Sequence, residues 1–208
     1  MEGPRDDADP AQRILEAADA LFAQQGYDGV SVRDVARAAG VNKASVFYYF
    51  STKEKLFERV MTRYYDAHRR ALEDAFAVEG TIEARLHHLV DGYLDFIIAN
   101  DRYPRLVQGL LLSSPGEVPL VSRGIGTLFE WTKTSLAAIA PTTGPKSTRQ
   151  IFVTIAGAVL NYMVYAPALA SAWGDDPLAP ESFEERRAHM HWLVDLMLAD
   201  LDASTPTG

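Results

Sequence analysis

The sequence has no cysteine, so disulfide bridges and thiolate metal sites are excluded. Its first ten residues are acidic and include two prolines, and they lack the apolar core of a signal peptide. No repeat or low-complexity tract is present, and no segment alternates apolar and polar residues as a strand does. We therefore predict a cytoplasmic, soluble protein without β-structure, in which residues 1–10 form a disordered acidic arm.

Positive charge is scarce overall but concentrated in one segment. The net charge of the chain is -8. Residues 31–63 nevertheless contain seven basic and three acidic side chains, a net charge of +4, whereas residues 1–30 and 64–208 carry -5 and -7. Because screening hides charges that lie more than about 8–10 Å away, the local patch decides whether a polyanion is attracted. Residues 31–63 are therefore the candidate surface for nucleic acid.

Charge is absent altogether from the 25 residues between Arg149 and Asp175. This stretch is long enough to cross a bilayer. It is only moderately apolar, however, because it contains many alanines and polar residues such as Thr154 and Asn161. A helix that is apolar around most of its circumference can also be buried between other helices. We predict such a buried helix and no membrane span.

Apolar residues recur at helical spacing through most of the chain, which predicts an all-α fold of about nine helices. The first helix ends at Gly26, and Ser31-x-x-Asp34 and Ser51-x-x-Glu54 have the form of capping boxes that begin later helices. Asn42 is the predicted N-cap of the third helix. The fourth helix runs to about Phe76. Further helices are predicted over residues 81–100, 104–112, 119–139, 147–166 and 182–201, and Pro167 is expected to end or kink the eighth.

The most informative segment is residues 31–50, where two short helices meet at Ala39-Gly40-Val41. On the second of these helices Val46 and Phe50 are four residues apart and are expected to face the core. Lys43 with Phe47, and Ala44 with Tyr48, form further pairs of this spacing on the other side. A short helix that exposes a lysine and two aromatic rings suits the major groove of DNA in width and chemistry.

This segment closely resembles the TetR (tetracycline-repressor-like) family, whose signature reads approximately T-x-x-x-I-A-x-x-A-G-V-S-x-x-x-[LI]-Y-x-[YH]-F-x-x-K-E-x-L. The matching positions are Ser31, Val35, Ala36, Ala39, Gly40, Val41, Asn42, Val46, Phe47, Tyr49, Phe50, Lys53, Glu54 and Leu56. The departures are serine at 31, asparagine at 42 and phenylalanine at 47, and the last of these removes a hydroxyl group. The resemblance covers about a quarter of the chain. It implies a helix-turn-helix DNA-binding domain over 11–52 and a helical regulatory and dimerisation domain over 53–208.

The resemblance and the side-chain chemistry together imply a set of DNA contacts. Lys43 and Ser45 are expected to read bases, Tyr48 and Tyr49 to contact the sugar-phosphate backbone, and Lys53 to bind a phosphate. The full predicted set is Ser31, Arg33, Asn42, Lys43, Ala44, Ser45, Phe47, Tyr48, Tyr49 and Lys53. Three alternatives stay open: Arg33 pairs with an acidic neighbour, Tyr49 fills the core, or Lys53 is only a surface charge.

The resemblance further implies a homodimer, formed by the last two helices, that binds a palindromic operator and is released by a small molecule. The alternative is an activator or a regulator that needs no ligand. An apolar or aromatic effector is expected, and the candidate pocket residues are Tyr93, Phe96, Tyr103, Phe129, Trp131, Phe152, Asn161, Tyr162 and Tyr165. Helix-packing aromatics are the alternative explanation for most of them.

An enzyme or metal protein on a helical bundle is the remote alternative. His87 and His88 are adjacent, and His189 and His191 are two residues apart, so neither pair shares a helix face. No Glu-x-x-His pairs of di-iron bundles and no nucleophile–base set are apparent. We predict no catalytic activity, no metal and no cofactor.

Overall fold

The computed structural model describes residues 9–113 and 118–202, and within these residues the chain forms nine α-helices and no strand. The predicted all-α class is therefore confirmed. The helices are α1 (Pro10–Gly29), α2 (Val32–Ala38), α3 (Lys43–Phe50), α4 (Lys53–Phe76), α5 (Ile82–Ala99), α6 (Arg102–Ser113), α7 (Val118–Ser135), α8 (Thr148–Trp173) and α9 (Pro180–Asp202).

The first helix begins inside the segment that was predicted to be an acidic arm. The carboxylate of Asp9 accepts a hydrogen bond from the backbone N–H of Ala11, and Pro10 occupies the first helical position. A proline there costs no hydrogen bond, because that N–H would have no partner within the helix. Residues 9 and 10 therefore do not belong to an arm, and residues 1–8 lie outside the described range. The predicted break at Gly26 is confirmed by its non-helical φ of 72°.

The two predicted capping boxes have different outcomes. At Ser31 the box is complete: its hydroxyl accepts from the backbone N–H of Asp34, and the Asp34 carboxylate accepts from the backbone N–H of Ser31. The box predicted at Ser51 and Glu54 is wrong. Ser51 has a φ of 54°, and the hydroxyl of Thr52 instead accepts from the backbone N–H three residues further on, at 3.2 Å.

Several predicted ends are displaced, most of all that of α8. This helix continues through Pro167 and ends at Trp173, where Gly174 adopts the left-handed conformation with a φ of 86°. The predicted end at Ala166 is therefore wrong. Proline removes one N–H donor, but Pro167 lies on an exposed part of the helix, where its ring displaces no core residue.

The apolar character of α8 is not matched by burial. By length and composition it is the one described helix able to cross a membrane, with a mean hydropathy of 1.6 in its most apolar 18-residue window. Only 17% of that window is buried. Within the single chain the predicted burial of α8 is therefore not found, because the helix presents much of its apolar surface to the outside.

The chain divides into two compact units, Met1–Tyr65 with Arg105–Arg123, and Asp66–Pro104 with Gly124–Gly208. The first unit has an aromatic core, in which the ring of Phe57 lies 4.9 Å from that of Phe22 and 5.0 Å from that of Tyr27. This division falls within α4, whereas the sequence predicted a domain boundary between residues 52 and 53. The core of the first unit includes α4 residues such as Phe57 because α1 and the two short helices α2 and α3 alone bury too little apolar surface.

In the second unit α4 and α5 approach closely at Gly92. A Cβ atom built there would lie 2.7 Å from the Cβ of Ala75 and 3.1 Å from the backbone oxygen of Ala71. We expect Gly92→Ala to lower the free energy of unfolding by about 1–3 kcal/mol, because the two backbones must separate. Chemical denaturation measures this. The control is Gly126→Ala in α7, where a Cβ meets nothing within 4 Å, so that alanine should slightly stabilise the helix. Equal stability of Gly92→Ala and the parent would contradict the close approach.

Candidate nucleic-acid interface

The turn between α2 and α3 depends on Gly40. Its φ of 65° is a left-handed conformation that L-residues with a Cβ adopt at a cost. The backbone N–H of Val41 then donates to the carbonyl oxygen of Ala36 at 3.0 Å and closes the turn. The next residue, Asn42, caps α3, since its Oδ1 accepts from the backbone N–H of Ser45 at 2.8 Å. Both the predicted turn and the predicted N-cap are confirmed.

The third helix has one face in the core and one face outside. Val46 is 2% exposed, whereas Tyr48 is 82% exposed and Phe47 and Tyr49 are each 41% exposed. Lys43 is also exposed, and its Nζ lies 5.4 Å from the centroid of the Phe47 ring. The open alternative that Tyr49 fills the core is therefore wrong. The outward face of α3 offers a cation, aromatic surface and the tyrosine hydroxyls.

Three of the predicted DNA-contacting residues form hydrogen bonds at the N-termini of α2 and α3. Ser31 and Asn42 are the N-caps of α2 and α3. Ser45, predicted to read bases, is half-buried, and its hydroxyl donates to the Oδ1 of Asn42 at 3.1 Å. These side chains fix the geometry of the two short helices. Lys43 is consequently the exposed polar side chain best placed at the start of α3.

The charged groups of α2 do not pair as one alternative suggested. The carboxylate of Asp34 forms its ion pair with Arg37, at 2.8 Å, and not with the exposed Arg33. The pKa of Asp34 is lowered chiefly by its hydrogen bond to the Ser31 hydroxyl, with smaller contributions from the Ser31 backbone and Arg37. Asp34 thus stays ionised and serves the cap, while Arg33 points its charge to the outside.

Lys53 lies at the first position of α4. Its Nζ is 4.1 Å from the centroid of the Tyr27 ring, a cation–π contact that orients the ammonium group. The neighbouring Lys55 pairs with Glu58 at 2.6 Å, and Arg123 contacts the same carboxylate at 3.1 Å. The pKa of Glu58 is lowered mainly by Lys55 and less by Arg123. Lys53 is thus held at a helix N-terminus, where the helix dipole favours an anion.

These elements form a helix-turn-helix, and comparisons with known proteins show what this part of the chain is similar to. Residues 14–60 match the family model described as bacterial regulatory proteins, tetR family. A protein named as the probable HTH-type transcriptional regulator YttP of Bacillus subtilis is 41% identical over 63 residues, 30% of each chain. The biofilm operon icaADBC HTH-type negative transcriptional regulator IcaR of Staphylococcus aureus (strain Newman) is 36% identical over 47 residues, 23% of this chain and 25% of that protein.

The curated matches therefore span less than a third of either relative, whereas a solved structure matches nearly the whole chain. The fatty acid degradation regulator FadR from Bacillus halodurans has a TM-score of 0.65 at 18% identity, over 93% of this chain and 96% of that one. This likeness shows the fold. The match of residues 14–60 covers about a quarter of the chain and shows a likeness to the tetR family in the helix-turn-helix segment. These relatives are transcriptional regulators rather than enzymes.

In the second unit an aromatic cluster surrounds His68 of α4. The imidazole is 4% exposed and lies nearly parallel to the rings of Tyr93 and Phe96, at 4.6 and 4.5 Å. The ring of Tyr103 meets it edge-on at 5.8 Å. The structure thus brings together three of the predicted pocket residues, Tyr93, Phe96 and Tyr103, around a histidine that the sequence analysis did not select.

His68 is an unusual core residue, because neither ring nitrogen has a hydrogen-bond partner among the described residues. Buried polar atoms normally have one, since an unpaired group loses its hydration without compensation. Burial lowers the pKa of His68 to about 3, so the ring is neutral near pH 7. A signal for this residue was present in the sequence: Met61, Tyr65, His68 and Leu72 follow at helical spacing and all are buried.

The other six predicted pocket residues lie elsewhere. Phe129 pairs with Phe152, and Trp131 with Phe76, at 5.4 and 5.8 Å between ring centroids. The Tyr162 hydroxyl donates to the carbonyl oxygen of Pro177 at 2.8 Å. Asn161 and Tyr165 lie on the exposed side of α8.

The buried His68 predicts a specific loss of stability in acid. Between pH 6.5 and about 3 the unfolded chain binds a proton at this position that the folded chain does not, so stability falls as the pH falls. Between pH 7 and pH 5 we expect the free energy of unfolding to drop by about 2 kcal/mol more in the parent than in His68→Phe. Denaturation at the two pH values measures the difference. The exposed His88→Ala control should keep the parent's pH dependence, and identical slopes for His68→Phe and the parent would refute the assignment.

Proposed function

We propose that the chain is a cytoplasmic, dimeric transcriptional repressor whose α3 enters the major groove of a palindromic operator and which a small molecule releases. The observation that carries this proposal is the outward face of α3, where Lys43, Ala44 and the 82%-exposed Tyr48 stand opposite the buried Val46. This face lies within residues 31–63, which carry a net charge of +4, and within the part that matches the family model. A helix so exposed and so charged has little to gain from burial within its own chain.

Each proposed contact follows from the position of its side chain. Lys43 reads a base edge beside Ala44, while the hydroxyls of Tyr48 and Tyr49 meet the sugar-phosphate backbone. Lys53 binds a phosphate at the N-terminus of α4. Arg33 and Phe47 contribute a peripheral cation and an apolar surface. The N-caps Ser31 and Asn42 fix the starts of α2 and α3, and the hydroxyl of Ser45 donates to Asn42.

The proposed dimer is supported by apolar side chains that a single chain leaves exposed. On α8 these are Val153 and Tyr165, at 65% and 57% exposure, and on α9 they are Trp192 and Leu196, at 54% and 49%. Two such helices from each subunit form a four-helix interface that removes this surface from water without a membrane. Twofold symmetry then spaces the two recognition helices about 34–36 Å apart, which requires a palindromic operator.

The effector site is proposed at the His68 cluster. A ligand with an apolar body can lie against Tyr93, Phe96 and Tyr103, and a polar group on it can satisfy one of the unpartnered nitrogens of His68. Because the imidazole is neutral, it offers one donor and one acceptor rather than a charge. Such a ligand releases DNA only if it binds the two conformations of the protein with different affinities. IcaR is named as a negative transcriptional regulator, which supports repression rather than activation as the proposed mode of regulation.

Binding to the DNA upstream of the chain's own gene tests the proposal. Fluorescence anisotropy at low salt should show binding to that DNA that exceeds binding to a shuffled fragment of the same length. The affinity should fall by about 0.9 log units per log unit of salt for each phosphate neutralised. A thermal-shift screen of apolar ligands with the parent and His68→Phe then tests the effector site. Equal affinity for both fragments, or equal ligand shifts in both proteins, would overturn the corresponding part of the proposal.

A further inference from the structure

Charged side chains join α5 to α9 in a regular ladder within the second unit. Arg187 donates to Asp95 at 2.7 Å and to Asp91 at 2.9 Å, and Asp91 also contacts the Nε2 of His191 at 2.8 Å. One step further, the Nε2 of His87 contacts the Oδ1 of Asp195 at 2.6 Å. Each step of four residues along α5 is matched by four residues in the opposite direction along α9, so the two helices run antiparallel here.

The two ends of this ladder differ in charge balance. At one end the guanidinium of Arg187 neutralises Asp91 and Asp95. At the other end Glu83 joins His87 and Asp195, and within residues 9–113 and 118–202 no lysine or arginine forms an ion pair with either carboxylate. Two carboxylates therefore share one imidazole at an end of the ladder that has no permanent cation.

We propose that Glu83, His87 and Asp195 form a binding site for a divalent transition-metal ion of the Zn²⁺ type, which clamps α5 to α9. Their candidate ligand atoms all lie within 4.8 Å of one another. Two ligands of a tetrahedral Zn²⁺ are ~3.4 Å apart, so small side-chain rotations suffice to close the site. The ion takes the place of the proton between His87 and Asp195, and water completes the coordination.

The ligand types favour Zn²⁺ over the hard cations. Two carboxylates alone suit Mg²⁺ or Ca²⁺, whereas an imidazole among the ligands shifts the preference to later first-row metals. The imidazole is also held in place, since the ring of His191 lies flat against that of His87 at 4.3 Å with an angle of 1° between the planes. A ligand ring whose orientation is fixed before binding loses less entropy when the metal binds.

This site is independent of the proposed DNA-binding function, and the sequence alone could not reveal it. The pairs His87–His88 and His189–His191 have no metal-ligand spacing within one helix. The site arises because Glu83 and His87 lie one turn apart on α5 and the antiparallel α9 supplies Asp195 opposite them. A relationship between helices that are about a hundred residues apart has no signature in local periodicity.

Zinc titration of the intact protein tests the site. Protein freed of metal with a chelator is titrated with Zn²⁺ by calorimetry, and Co²⁺ binding is followed by visible absorption. We expect one Zn²⁺ per chain, an excess of Mg²⁺ that does not compete, and a loss of affinity of at least about tenfold in His87→Ala and in Asp195→Asn. Glu83→Gln, an exposed and conservative change, should also weaken binding.

His88→Ala is the matched control, because His88 is an exposed histidine next to the cluster but not part of it. It should bind Zn²⁺ with the parent's affinity. The proposal is overturned if the parent does not bind micromolar Zn²⁺, if Mg²⁺ competes equally, or if His88→Ala weakens binding as much as His87→Ala. Parent-like affinity in both His87→Ala and Glu83→Gln would also overturn it, because the ion would then be bound elsewhere.

Discussion

Lys43→Ala will reduce the preference for operator DNA over unrelated DNA by about 5- to 150-fold, because a base contact contributes about 1–3 kcal/mol of discrimination. The side chain lies at the start of α3 and is exposed, while the capping Asn42 keeps the helix in place without it. Alanine is also a strong helix former. The loss should therefore come from the missing contact and not from unfolding. Competition binding with both DNAs measures the preference.

Lys53→Ala provides the contrast, because a phosphate contact carries no sequence information. This variant should weaken binding to all sequences about equally. It should also reduce the slope of log affinity against log salt concentration by the contribution of about one phosphate. Lys133→Ala is the control, since Lys133 lies in α7 and pairs with Glu130 at 2.7 Å. It should leave both quantities unchanged. If Lys43→Ala and Lys53→Ala behave identically, the division into a base reader and a phosphate contact is wrong.

The double variant Trp192→Asp with Leu196→Asp will be monomeric at concentrations where the parent is a dimer. Both side chains are exposed in the single chain and lie one helical turn apart on α9. Loss of a tryptophan at the centre of an interface commonly costs 2 kcal/mol or more, and two buried carboxylates add a desolvation cost. We expect the dimer dissociation constant to rise by at least about 100-fold, as measured by sedimentation equilibrium.

Leu178→Asp is the matched control for this variant. Leu178 is a 39%-exposed leucine in the connection between α8 and α9, outside the face that contains Trp192 and Leu196. It should not change the dissociation constant. A monomeric parent, or a double variant that dimerises as well as Leu178→Asp, would contradict an interface formed by the last helices. The DNA affinity of the monomer should drop as well, because one half-site is then bound at a time.

The parts of the fold that could be predicted are those set by local chemistry. Helical spacing of apolar residues identified the helices, and the side-chain oxygens of Ser31 and Asn42 marked two helix starts, because orphan N–H groups need acceptors nearby in sequence. Ser51 shows the limit of this rule. Ser51 and Thr52 both carry a hydroxyl group that could cap α4. The backbone conformation of the turn, with a φ of 54° at Ser51, makes Thr52 the residue that does so.

The parts that could not be predicted depend on which helices meet. His68 has the same spacing as its apolar neighbours, but only the arrival of Tyr93, Phe96 and Tyr103 from α5 and α6 makes it the centre of a cluster. The apolar sequence of α8 predicted burial but could not say against what. Hydrophobicity alone does not distinguish a helix in the core of one chain from a helix at an interface between two chains. In the predicted DNA-contact set, the sequence also did not reveal that the hydroxyl of Ser45 donates to Asn42, and a base contact of Ser45 stays a prediction.

Methylation interference on the upstream DNA fragment tests the central claim most directly, since methyl groups on guanine N7 obstruct the major groove. With the parent protein, interfering guanines should form two clusters on one face of the duplex, about one helical turn or 34–36 Å apart. Lys43 lies on the exposed face of α3, so Lys43→Ala should weaken the pattern at the base positions that this side chain contacts. Binding that guanine methylation does not disturb would contradict the proposal that α3 enters the major groove.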